Sequence, residues 1–402
     1  MWKTVKLGDL VDISIGKTPV RNNLKFWDKE KNTNNVWISI ADLTKLKNNF
    51  VEDSKEYISD EGAKLFKPVP ANTLIMSFKL SIGKLAITSK EVRTNEAIAS
   101  LPIKDDREIC KEYLLFYLQS LDWDSLAGND IKVKGKTLNK AKLKEIFILV
   151  PPLEEQKQIA KKLDATFAEI DKNIENLKNK KEQIESLINR VSEEELKNAE
   201  GENLKIETIG DVLSVIQNGV NCKQDKSGKG LKITRIETIA DANINYDKTG
   251  FSNLDESKKQ KAALKKGDIL FSHINSPSHV GKTAIYDGSE PLYHGINLLR
   301  LHTIDAVDSN YFNFFLQSLF WSGHWRRASK QSVNQASVNQ VDIKKIPFSY
   351  PPLEEQKEIV KKLDSINLEK DISIKALNTQ IHNYIALKSS ILSQELEGKR
   401  AA

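Results

Sequence analysis

Pro151-Pro152-Leu153-Glu154-Glu155-Gln156-Lys157-Gln158-Ile159-Ala160-Lys161-Lys162-Leu163-Asp164 returns as Pro351-Pro352-Leu353-Glu354-Glu355-Gln356-Lys357-Glu358-Ile359-Val360-Lys361-Lys362-Leu363-Asp364. The offset is 200 residues in a chain of 402, so the sequence reads as two copies of one unit. The period is too long and occurs too few times for a solenoid, which leaves a duplication. Other anchors recur in the same order. Leu7-Gly8-Asp9-Leu10 matches Ile209-Gly210-Asp211-Val212, and Ile82-Gly83-Lys84-Leu85-Ala86-Ile87 matches Val280-Gly281-Lys282-Thr283-Ala284-Ile285. Tyr113–Leu121 matches Tyr311–Leu319. Between the anchors the copies diverge, so one scaffold carries two different variable surfaces.

Each copy ends in a long helical segment. Pro152 suits the first turn of a helix, and Glu154 and Glu155 complement the positive end of its dipole. In the first helix Ala160, Leu163, Phe167, Ile170, Ile174, Leu177, Lys181, Ile184, Ile188 and Val191 step by three and four, a seam with one polar exception. The second offers Val360, Leu363, Ile374, Leu377, Ile381, Tyr384, Ile391 and Leu392, broken by Asn367 and Lys370. A helix of this length spans roughly 65 Å and needs a partner for its stripe. The duplicated stripes make each helix the natural partner of the other within one chain.

The expected fold is therefore α+β. Two mixed α/β domains, 1–150 and 201–350, alternate with two long helices, 151–200 and 351–398, that pair antiparallel as an intramolecular coiled coil. Strands are expected over 36–40, 73–78, 84–88, 231–236, 268–272 and 282–286, from β-branched and aromatic residues bounded by turn signals.

Composition bounds the function. Hydrophobic residues make up 39% and charged residues 29%, and no apolar run approaches the roughly 20 residues of a membrane span. The start, Met1-Trp2-Lys3-Thr4-Val5-Lys6, has no apolar leader core, and Cys110 and Cys222 have unmatched surroundings. A reduced, cytoplasmic chain is expected. Net charge is +6, compatible with a polyanionic partner. The basic residues cluster: Lys132, Lys134 and Lys136; Lys223, Lys229 and Arg235; Arg326, Arg327 and Lys330 beside Trp321 and Trp325. Any one such run is usually a solvated face, but three on repeated, loop-rich domains point toward phosphate contact. His273 and Asn275 stand in a polar loop suited to reading base edges.

Several chemistries lack their residues. There is no glycine-rich cofactor loop and no Asn/Asp-Pro-Pro-aromatic tetrapeptide. Gly281-Lys282-Thr283 lacks the earlier glycine of a phosphate loop, where Ser276 stands, and reads as a strand with a turn. His273 and His279 are too few for a metal site. No metal site and no catalytic residue are assigned.

Taken together, the doubled Pro-Pro-Leu-Glu-Glu-Gln-Lys block, each after a hydrophobic strand at 146–150 and 346–350, resembles the specificity subunit of type I restriction–modification systems over the whole chain. The resemblance implies two target recognition domains, each reading one half of a bipartite site in double-stranded DNA. It implies helices that set the spacing and, around Glu154, Gln156, Lys157, Glu354, Gln356 and Lys357, dock two modification subunits, with restriction subunits joining through those. S-adenosylmethionine, ATP and Mg would belong to the partners, and this chain would bind no cofactor. A methylation-only system, or a duplicated coiled-coil adaptor that binds only protein, remain as alternatives.

Overall fold

A computed structural model describes every residue except Met1, Lys47, 128–130, 133–134, 137, 199–203, 226–227, 241, 333–334 and 397–402. The chain folds into two compact units, Met1–Leu177 with Thr379–Ala402, and Lys178–Asn378. Each long helix thus contributes one half to each unit.

The two units are built alike. In the first, Lys3–Lys6 pairs antiparallel with Phe147–Val150, so the start of the domain is stitched to the strand that enters the helix. In the second, Lys205–Thr208 pairs the same way with Pro347–Tyr350. The main sheet of the first unit runs Ser14–Ile15, Ile98–Leu101, Leu74–Ser77, Leu85–Thr88, Phe50–Val51. That of the second runs Leu213–Asn218, Leu299–Thr303, Ile269–Phe271, Thr283–Ile285, with no fifth strand among the described residues. The expected strands are present, shortened by a residue or two at most ends, while 231–236 is a strand only over Leu231–Ile233 and Ile236 opens a 3-10 turn. Val36–Ile40 is a strand only to Ile38, because Ser39 caps a short helix over Ile40–Thr44.

The long helices run Leu153–Asn198 and Leu353–Leu396. Their first turns close on proline carbonyls, Gln156 N to Pro152 O at 3.0 Å and Gln356 N to Pro352 O at 3.1 Å. In the first unit the seam residues Ala160, Leu163, Phe167, Ile170 and Ile174 are buried with the domain core and with Tyr384, Ile391 and Leu392. Lys162 pairs with Glu395, and Lys388 pairs with Asp171 at 2.8 Å, so these two segments run antiparallel. Lys388 also sits 4.7 Å over the ring of Phe167. In the second unit Leu196 packs on the core of Ile359, Val360 and Leu363, and Lys362 meets Glu195 at 3.6 Å.

A repeated lock was invisible in the sequence. Gly83 (φ +81) and Gly281 (φ +89) turn the chain beneath Trp123 and Trp325, whose indole nitrogens donate to Leu118 O at 2.9 Å and Leu316 O at 3.1 Å. A Cβ on either glycine would come within 2.2 Å of the facing indole. Gly281 is thus a turn closed by a tryptophan, in agreement with its reading as strand and turn. Gly83→Ala and Gly281→Ala should each cost about 3 kcal/mol in urea unfolding, from overpacking and a left-handed backbone together. Gly228→Ala is the control: its φ is +76 but no atom of the described residues lies within 4 Å of the added carbon, so about 1 kcal/mol is expected.

Candidate nucleic-acid interface

The helix Ser309–Trp321 starts at Asp308, whose side chain caps Asn310 N and Tyr311 N. After it, Gly323 (φ +73) reverses the chain into a short helix, His324–Ala328, and a hairpin, Lys330–Ser332 with Gln335–Ser337. Ile274–Asn275 adds to that hairpin as a third strand, and Val338 N donates to His273 O at 2.9 Å. The fold therefore gathers His273, Asn275, Arg326, Arg327 and Lys330 on one small sheet and its leading helix. Arg326, Arg327 and Lys330 are exposed. Trp325 is not: it is wholly buried against Phe271 and holds the helix down rather than facing a ligand.

The first unit repeats the arrangement with other residues. A short helix, Trp123–Ala127, precedes a hairpin of Ile131–Lys132 and Gly135–Lys136, and Leu138 N donates to Phe78 O at 2.9 Å. Lys132 and Lys136 occupy its strands; Lys134 lies outside the described residues. The loop beside the hairpin differs between copies. It is Phe78–Ile82 in the first unit, with Lys79 and an exposed Leu80, and the longer, polar His273–Val280 in the second.

That second loop is internally ordered. Asn275 donates to Ser272 Oγ at 3.0 Å and accepts from Ser276 N at 2.8 Å, while Ser276 and Ser278 hydroxyls both lie 2.9 Å from His279 Nδ1. Asn275, His279 and Lys282 line a cavity of 280 Å³ with Glu237, the ion-pair partner of Arg235. Lys223 and Lys229 lie elsewhere, on a shallow cavity of 380 Å³ shared with Lys258 and Asp225. Two of these neighbours are not among the residues that the sequence singles out for DNA: Lys258, in the helix Glu256–Ala262 capped by Asp255, and Lys282, just after the Gly281 turn.

Burial lowers the pKa of His273 from its ordinary value. His294 is fully buried and pushed down to about 4, chiefly by desolvation; its Nε2 lies 2.9 Å from Leu298 O.

The residues expected at partner-docking positions divide. Glu154 with Lys157 and Glu354 with Lys357 form exposed pairs at 2.8 and 2.7 Å. Gln156 and Gln356 are a correction, because both are fully buried. Gln156 Nε2 donates to Glu108 O at 2.9 Å and Pro151 O at 2.8 Å, and its Oε1 accepts from Cys110 N at 2.7 Å. Gln356 does the same with Ala306 O, Pro351 O and Asp308 N at 3.1, 2.8 and 2.8 Å. They bind helix to domain and offer no surface to a partner.

The family described as type I restriction modification DNA specificity domain matches residues 1–186 and 201–383. The chain belongs to this family. It is 40% identical over 183 residues to a subunit of Methanocaldococcus jannaschii, provisionally named as the type I restriction enzyme MjaX specificity subunit, covering 45% of this chain and 42% of that one. It is 26% identical over 274 residues to the type I restriction enzyme EcoKI specificity subunit of Escherichia coli K12, covering 64% and 58%. The chain thus spans less than two thirds of the length of either relative. A solved structure described as showing complex assembly and conformational transition of the type I R-M system contains a chain of the same fold, with a TM-score of 0.71, 17% identity, and coverage of 98% and 97%. Two copies of the family's domain fit the two units, and no helix among the described residues is long and apolar enough to cross a membrane.

The buried histidine gives a pH test. Its folded pKa lies below the unfolded value of about 6.5, so the unfolded chain takes up a proton that the folded chain refuses. Stability from His294 is full above pH 6.5 and falls as pH drops toward 4. Urea midpoints should decline over that window by an amount worth about 2–3 kcal/mol, and His294→Gln should flatten the decline. An equal decline in the variant would place the titrating group elsewhere.

Proposed function

We propose that this chain is the DNA sequence-recognition subunit of a type I restriction–modification complex. Each domain reads one half of a bipartite, asymmetric site in double-stranded DNA. The observation that carries this reading is the basic hairpin, built twice on one frame and set each time beside a different loop. The frame and the hairpin cations suit phosphate contact, which positions a protein without specifying sequence. The differing loops, Phe78–Ile82 and His273–Val280, suit base-edge reading, which does specify it. A duplex with two unlike half-sites calls for that combination.

The chemistry is assigned to the partners. S-adenosylmethionine, ATP and Mg belong to modification and restriction subunits, and this chain is non-catalytic. Docking falls to exposed apolar residues on the long helices rather than to the buried glutamines. In the second unit Leu368 and Ile372, one turn apart, are 63% and 61% exposed, an apolar pair on one helix face that a partner could cover. Leu368→Glu with Ile372→Glu should leave the fold and DNA contact intact and weaken assembly with the modification subunit at least tenfold by analytical ultracentrifugation. Unchanged assembly would move docking to another surface.

The DNA interface is tested by salt dependence in complexes with the cognate modification subunit. Replacing Arg326, Arg327 and Lys330 with alanine should reduce the slope of log K against log salt by roughly two to three, about 0.9 per lost phosphate contact, and by the same amount on any sequence. Lys132, Lys134 and Lys136 should behave alike in the first unit. An unchanged slope would mean that these side chains only face solvent. Methylation or cleavage of DNA by the purified chain alone would overturn the non-catalytic assignment.

A further inference from the structure

The first unit holds one leucine in a conformation that leucine avoids. Leu80 sits at φ +65, in the left-handed region that suits glycine or asparagine, at the tip of the loop Phe78–Ile82. Burial does not offset the strain, because the residue is 49% exposed. Strained residues gather where a protein meets a ligand. The loop is nonetheless firmly rooted. The Ser77 hydroxyl donates to Ser81 O and accepts from Lys84 N at 3.0 Å, and Gly83 N donates to Ser77 O at 2.9 Å. Lys79 folds back, its Nζ donating to Glu96 O at 3.0 Å and lying 5.1 Å over the ring of Phe78. Leu80 is left as the exposed apolar group at the tip.

Topology sets where that tip lies. Ser14–Ile15 and Leu74–Ser77 both pair antiparallel with Ile98–Leu101, so the chain leaves Ile15 and Ser77, and enters Ile98, at one end of the sheet. Leu138, just after the hairpin of Ile131–Lys132 and Gly135–Lys136, bonds Phe78 O at that same end. The loop after Ile15 is there too: Gly16 N donates to Ile98 O at 3.1 Å, and Thr18 donates to the Glu96 carboxylate. That loop presents Val20 and Leu24, 64% and 66% exposed. It is ordered, because Trp27 Nε1 donates to Val20 O at 3.2 Å and Arg21 lies 4.4 and 4.8 Å over the rings of Trp27 and Trp37. A single exposed apolar side chain is ordinary surface. Three on rooted loops beside a basic hairpin, one of them strained, form an apolar reading edge. The corresponding loop of the second unit, His273–Val280, is polar and contains no residue of positive φ.

We propose that Leu80 is a specificity-determining residue of the first domain, reading the C5 methyl group of a thymine, with Val20 and Leu24 extending the contact. This rests on the DNA-reading role proposed above. A two-stranded ribbon fits the major groove, and the thymine methyl is the apolar feature that base edges display there. An apolar tip beside phosphate-binding cations meets that feature, and it offers no hydrogen bond to a guanine or cytosine edge.

The test uses the complex with its modification subunit, after its methylated motif has been read by single-molecule sequencing. Each thymine of the motif is replaced in turn by uracil, which removes only the methyl, and affinity is measured by fluorescence anisotropy. At one thymine or more, in one half of the motif, wild-type binding should fall roughly fourfold, the effect of one buried methyl. Leu80→Gly relaxes the backbone, so its thermal midpoint should not fall below that of the wild type. It should bind the thymine duplex no better than the uracil duplex. Leu80→Asn, which tolerates the left-handed backbone but lacks the methyls, should behave alike. Uracil sensitivity in the other half of the motif should be unchanged in both variants. No sensitive thymine, sensitivity that persists in either variant, or a lower midpoint in Leu80→Gly would each overturn the proposal. Absence of any recognised motif is a different result, and would overturn the DNA-reading role on which the proposal rests.

Discussion

A buried amide holds each unit together. Gln156 and Gln356 sit in the first turn of a long helix, fully buried, and each makes three hydrogen bonds: two donated to carbonyls, one accepted from the backbone N–H of the residue just before the domain's central helix. Two carbonyl partners and one N–H partner fix which end of the amide is which. No other side chain of that length supplies two donors and an acceptor without charge. The helix is thereby locked to the domain in a single orientation, and the strand pairing of Lys3–Lys6 with Phe147–Val150, and of Lys205–Thr208 with Pro347–Tyr350, closes the frame behind it.

Within that frame the two copies spend their differences in few places. The core sheet, the glycine beneath a tryptophan, the central helix and the basic hairpin recur. The loop beside the hairpin, the extra edge strand at Phe50–Val51 and the residues equivalent to Leu85 and Leu115 do not. A surface that varies while its support stays fixed is how a recognition protein changes target without refolding. His273 and the ordered Asn275–His279 loop suit hydrogen bonding to bases, while the exposed arginines beside them suit phosphates.

Much of this was legible in the sequence, for physical reasons. The duplicated block announced the repeat, seam spacing announced the helices, and β-branched runs announced most strands. Basic runs pointed to the hairpins, although Lys223 and Lys229 lie on a separate cavity. What stayed hidden depended on contacts between distant residues. A glutamine in Pro-Pro-Leu-Glu-Glu-Gln-Lys looks like surface, because pattern alone cannot show that carbonyls 48 and 50 residues away wait for it. Trp325 looked like an aromatic beside arginines, and only the fold puts a glycine under its ring.

On the proposed function, each unit is a separate reader on a common frame. The most direct measurement is the methylated motif, read by single-molecule sequencing, of a complex in which residues 1–150 are replaced by the equivalent domain of another family member. Two independent readers predict that one half of the motif changes and the other half, with the spacing, is retained. A change in both halves, or in neither, would contradict the account.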